Sequence, residues 1–157
     1  MVVESLVTHT VKYPYKTVPL PNGGFDWLPI LRVQLSRGSR VTAPFETVID
    51  SGSFDCLFHA DIARALGIKD ITSGELKMSG GVVKGVQMKT YGHEMRLVIG
   101  ADTFKVKAFF AEEMPIAGLL GRLGFFDNFT VTFHAGDEPG FELTRVHKKK
   151  QSAMSTQ

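Results

Sequence analysis

A chain of 157 residues, 43% hydrophobic and 22% charged, has the length and composition of one globular domain that buries its core without staples. Its formal net charge of +2 is too small to point to a nucleic-acid partner, and much of the basic excess sits in residues 145–150. The single cysteine, Cys56, excludes an internal disulfide, and no apolar run approaches the length of a membrane span.

Residues 1–20 contain Glu4, His9, Lys12 and Lys16 and no apolar signal-peptide core, so the expectation is a soluble, cytoplasmic protein with no membrane partner. Residues 2–20 alternate weakly through Val3, Leu6, Val7, Val11 and Tyr13 and carry Pro14 and Pro19, the pattern of an exposed or edge strand. Pro21-Asn22-Gly23-Gly24 is a turn signal. Residues 27–35 read as a strand with Pro29 near its entry. The turn Arg37-Gly38-Ser39-Arg40 sends the chain back through residues 41–49 to Asp50. Residues 59–67 predict a short helix, with Ile62, Ala63 and Leu66 on one face and Gly67 just past its end.

Polar residues and glycines follow. Residues 82–92 are punctuated by glycine, too flexible for a core strand, and suit a hairpin overhanging a site. Residues 95–99 and 104–110 predict a second hairpin around Gly100-Ala101-Asp102. Residues 116–120 read as a buried strand, 121–128 as a short helical turn, and 130–133 with 141–146 as closing strands. The fold class is therefore all-β: a small closed barrel with one or two short helices. Three segments are expected: an N-terminal strand and linker (1–26), the main domain (27–146) and a disordered basic and polar tail (147–157).

Asp50 ends an apolar strand and is followed at once by Ser51, Gly52 and Ser53. A buried strand that turns there holds a carboxylate in a partly dry place, where desolvation, donors and any second carboxylate set its pKa. Asp-Ser-Gly alone is equally a plain turn. A second segment, Ile116-Ala117-Gly118-Leu119-Leu120-Gly121-Arg122, adds weight through the order of elements between the two.

With Asp50-Ser51-Gly52-Ser53, a glycine hairpin and Leu119-Leu120-Gly121-Arg122 in that order, residues 27–146 resemble the retropepsin-like aspartic proteases. That family includes the retroviral proteases, the protease domain of eukaryotic DNA-damage-inducible ubiquitin-shuttle proteins and many bacterial relatives. The helix after the motif and Val83-Lys84-Gly85-Val86 look more like the ubiquitin-shuttle and bacterial members.

The resemblance implies peptide-bond hydrolysis by two carboxylates sharing one proton, one activating water and the other donating to the scissile carbonyl. One chain supplies only Asp50, so a homodimer acting on peptide or unfolded protein is implied. By the same resemblance, Ser51 would bond across the two-fold axis and Gly52 would approach the substrate. Ser53 would be able to donate to the Asp50 carboxylate, which lowers its pKa and predicts an acidic optimum. Lys84, Gly85, Val86 and Gln87 would form the flap tip, and Leu119, Leu120, Gly121 and Arg122 would lie beneath the active loop. In retroviral members the arginine pairs with an acid two residues past the motif glycine; here that position is Phe54, and Asp55 follows. No cofactor or metal is implied, and the five histidines are scattered. Cys56 with His59 carries no thiol-nucleophile signal beyond spacing, and a small buried cysteine is the simpler reading. The competing functions are a catalytically inactive dimer of the same fold that binds peptides or proteins, and an enzyme using Asp50 for another hydrolysis.

Overall fold

The computed structural model describes residues 9–80, 85 and 87–147. In chain order the strands are β1 (Thr10–Pro14), β2 (Lys16–Pro19), β3 (Phe25–Leu28), β4 (Ile30–Arg37), β5 (Arg40–Val41), β6 (Phe45–Ile49) and β7 (Leu57–His59). Helix α1 (Ala60–Ala65) and a 3-10 turn at Ile71–Ser73 follow. The remaining strands are β8 (Glu75–Gly80), β9 (Gln87–Ile99), β10 (Asp102–Ala111), β11 (Gly118–Leu120), β12 (Phe129–His134) and β13 (Gly140–Arg145).

The main sheet runs β5-β4-β6-β11-β7-β10-β9-β8, and β4 also pairs with β9, which closes six strands into a barrel. Period-two alternation builds its inside. Leu31, Val33 and Leu35 of β4 are buried while Arg32 and Arg37 face water, and Met95, Leu97 and Ile99 of β9 are buried beside exposed Glu94 and Arg96. Phe58, Phe110, Leu97 and Leu120 are among the fully enclosed side chains. Phe58 meets Phe45 edge-on at 6.0 Å between ring centroids, the arrangement that the ring quadrupoles favour. Outside the barrel, β1, β13 and β12 form a three-stranded sheet, and β2 pairs with β3. No helix among the described residues is long and apolar enough to cross a membrane.

Several expected boundaries move. The strand expected over 27–35 breaks at Pro29, which separates β3 from β4, because proline has no N–H to give the ladder. Residues 87–92 are not a flexible segment: they begin the longest strand of the barrel, β9. Gly92 there is a packing residue, since a Cβ would come within 2.8 Å of the Phe109 ring. The expected helical turn over 121–128 is a run of turns without an assigned helix. Its bonds step five residues back from Phe126 and Asp127, at 3.3 and 3.1 Å, and three back from Asn128 at 2.9 Å. Gly124, at φ +97°, breaks any helical run, and its N–H is taken by Asp127 Oδ1 at 3.0 Å. Helix α1 forms as expected, with His59 Nδ1 capping the Asp61 N–H at 3.1 Å.

Candidate active site

The site begins where β6 stops. Strand β11 inserts between β6, which it meets in parallel (Leu119 beside Val48, Leu120 beside Ile49), and β7, which it meets antiparallel. Residues 50–56 loop over this junction. The Asp50 N–H donates to the Leu120 carbonyl at 3.0 Å, and the Asp50 carbonyl accepts from the Ser53 N–H at 3.1 Å. The Gly52 N–H donates to Asp50 Oδ1 at 2.9 Å, closing an Asx turn that fixes the carboxylate. Asp50 is half-buried, and Ser51 and Gly52 are exposed.

Ser53 acts differently from the sequence expectation. Its hydroxyl donates to the Asp55 carbonyl at 2.7 Å, so it braces the loop and gives no bond to the Asp50 carboxylate. Without that bond, Ser53 gives no reason for an acidic optimum.

The segment after β11 is laced to the loop. The Arg122 N–H donates to the Ser53 carbonyl at 2.9 Å, and the Leu123 N–H to the Phe54 carbonyl at 2.8 Å. Gly121 is required by this closeness: a Cβ there would lie 2.1 Å from the Asp55 carbonyl oxygen. Leu120 is buried in the core, whereas Leu119 is half-buried and lines the cleft.

Strands β8 and β9 form a hairpin paired from Glu75–Gly92 to Gly80–Gln87. Together with the Asp50 loop it encloses a cleft of about 690 Å³, walled by Asp50, Phe54, Leu57, Met78, Met88 and Leu119 among others. Gln87 also lines this cleft, and Gly85 sits in a turn at φ +87°. Lys84 and Val86 lie outside the described residues, as do residues 148–157 of the expected tail.

Sequence reasoning missed Lys77. It stands on β8 and reaches Asp55 Oδ2 at 2.5 Å. The Asp55 side chain is 8% exposed and that of Lys77 36%. The same ammonium lies 4.7 Å from the Phe54 ring centroid and 5.1 Å from that of Phe109. Alternation through Glu75-Leu76-Lys77-Met78-Ser79 was the available signal, overridden by the polar look of the segment. Arg122 has no ion pair among the described residues; its guanidinium carbon lies 5.2 Å from the Phe54 ring. Thus Phe54 offers a π face to the arginine, and the neighbouring acid, Asp55, is held by Lys77.

At the base of the hairpin, Lys107 of β10 donates to Glu75 at 2.6 Å. That hydrogen bond, and then the charge of Lys107, hold the Glu75 carboxyl below its usual range. Cys56 is fully buried and donates to the Leu123 carbonyl at 3.4 Å. Burial pushes its thiol up to about 12, which leaves it without the thiolate that a nucleophile needs. Among the described residues no group of three or more His, Cys, Asp or Glu is placed to hold a metal ion.

No family model matches the sequence, and no curated protein matches it. Solved structures do. A retropepsin-like aspartic protease from Rickettsia conorii is 18% identical across 88% of this chain and 93% of its own, with a TM-score of 0.56. The retroviral protease-like domain of Ddi1 from Leishmania major is 11% identical across 74% and 93%, with a TM-score of 0.49. EIAV protease complexed with the inhibitor HBY-793 is 17% identical across 60% and 82%, with a TM-score of 0.44. Six closed strands, β11 inserted beside the Asp50 loop and the likeness to the Rickettsia conorii structure give one conclusion: this chain has the fold of the retropepsin-like aspartic proteases.

Proposed function

We propose that the chain is a homodimeric aspartic endopeptidase in which Asp50 of each copy shares one proton and activates water against a peptide bond. The observation that carries this reading is the placement of Asp50: a carboxylate fixed by the Gly52 N–H, in the wall of a cleft overhung by the β8–β9 hairpin. Two other acids line that cleft, Asp55 and Glu113. Asp55 is already engaged by the Lys77 ammonium, which occupies the oxygen that a shared proton would need. Glu113 is exposed, beyond the end of β10 and outside the braced loop that fixes Asp50. A second copy of Asp50 on a two-fold axis is therefore the best source of the missing acid.

The substrate in this reading is an extended peptide lying beneath the hairpin, with edge-strand hydrogen bonds to its main chain. The test is cleavage of a peptide library across a range of pH, with and without a pepstatin-like inhibitor, alongside the solution mass. The expected result is inhibitable cleavage by a dimer. Asp50→Asn should keep the dimer and lose at least about a thousandfold in kcat, the scale of removing an essential acid–base group. A strictly monomeric protein that cleaves, or an Asp50→Asn variant that retains activity, would overturn the reading.

A further inference from the structure

Phe54 is 50% exposed at the wall of the cleft, where an apolar ring gains little from burial. Two cations from different elements converge on it: Lys77 of β8 at 4.7 Å and Arg122, just past β11, at 5.2 Å from the ring centroid. Both distances fall within the range at which a ring quadrupole attracts a cation. The Phe54 backbone is itself anchored, its carbonyl accepting from the Leu123 N–H at 2.8 Å. The ring is thus a fixed point on the Asp50 loop to which the overhanging hairpin and the β11 exit both attach.

We infer that Phe54 is a positioning residue: its π face couples the β8–β9 hairpin to the Asp50 loop and sets where the hairpin stands over the cleft. Asp55 also holds this ammonium, so losing the ring loosens the hairpin and does not free it. Each cation–π contact at a partly exposed site is worth a factor of roughly two to five. The part of this inference that concerns catalysis rests on the peptidase reading; the part that concerns hairpin position does not.

The experiment is hydrogen–deuterium exchange on the full-length protein, followed in peptides spanning residues 75–80. Phe54→Leu keeps apolar bulk and removes the ring; Phe54→Tyr and Phe54→Trp keep a ring. Phe54→Leu should speed exchange in that segment by about threefold, and the aromatic variants should restore the slow rate. A Phe54→Leu protein whose exchange matches the parent within error, or aromatic variants as fast as leucine, would overturn the inference.

If Phe54→Leu proves too unstable to read, Phe54→Met, which keeps a long apolar side chain without a ring, replaces it. Exchange in residues 75–80 should be faster in Phe54→Met than in the parent and in Phe54→Tyr, and equal rates in the three would overturn the inference. Where the parent cleaves peptides, Phe54→Leu should raise KM about threefold with kcat changed less. If the parent cleaves nothing, the peptidase reading fails while the exchange data still decide the role of Phe54.

Discussion

Lys77→Met is the most informative single change, because the two ends of the Asp55–Lys77 bridge are unequally buried. Asp55, at 8% side-chain exposure, has given up most of its water, whereas Lys77, at 36%, keeps much of its own. Removing the lysine leaves a nearly buried carboxylate without its hydrogen-bonded counter-charge. For fully buried pairs that costs about 3–5 kcal/mol; Asp55 opens on the cleft, so about 2–3 kcal/mol is expected. Asp55→Asn leaves the better-solvated ammonium, which can turn outward to water, and should cost about 1 kcal/mol. The double variant leaves no orphan charge and should be more stable than Lys77→Met alone. Urea unfolding of the four proteins, compared by midpoint at constant m, measures all three differences. Equal losses from the two single variants, or a double variant as weak as their sum, would refute the assignment of a desolvated pair.

Three further outcomes follow from the geometry. Gly121→Ala must push a methyl against backbone, with a Cβ 2.1 Å from the Asp55 carbonyl and 2.8 Å from that of Ser53, so a loss of about 3 kcal/mol is expected in the same urea assay. Cys56, with its thiol raised to about 12, has a thiolate fraction of ~10⁻⁴ at pH 8; a thiol reagent should label the native protein only as fast as it opens, and immediately in denaturant. The Glu75–Lys107 tie depends on pH in a defined direction. Lys107 lowers the folded-state pKa of Glu75, so the contribution is complete above the unfolded carboxylate value and fades as pH falls through the lower folded one. Exchange in residues 75–80 should therefore accelerate, relative to a Glu75→Gln variant, on acidification through that window.

Much of the barrel was legible where a strand buries one face only, as β4 does. The alternation in β4, and the turn residues at Arg37-Gly38-Ser39-Arg40, fix register by local chemistry. Helix α1 was legible through its apolar stripe and Gly67. Gly92 misled because glycine in a strand signals either slackness or close packing, and only the distant Phe109 ring decides which. The turns over 121–128 misled for a related reason: apolar spacing suggests a helix, while Gly124 and the Asp127 side chain impose another path. At the candidate site, Asp50 and Leu119-Leu120-Gly121-Arg122 were visible as motifs. Lys77 was not, since its partners Asp55, Phe54 and Phe109 come from two other parts of the chain. The destination of the Ser53 hydroxyl was likewise a matter of local loop shape that residue type leaves open.

The pairing of β1 with β13 has a consequence for how the molecule is made. Thr10 lies beside Thr144 and Pro14 beside Gly140, so this seam joins stretches up to 134 positions apart along the chain. Nascent β1 has no mate until β13 has emerged, and closing so long a loop is entropically slow. A fusion or deletion that disturbs residues 10–14 would leave β13 with a bare edge, inviting strand addition from a neighbour.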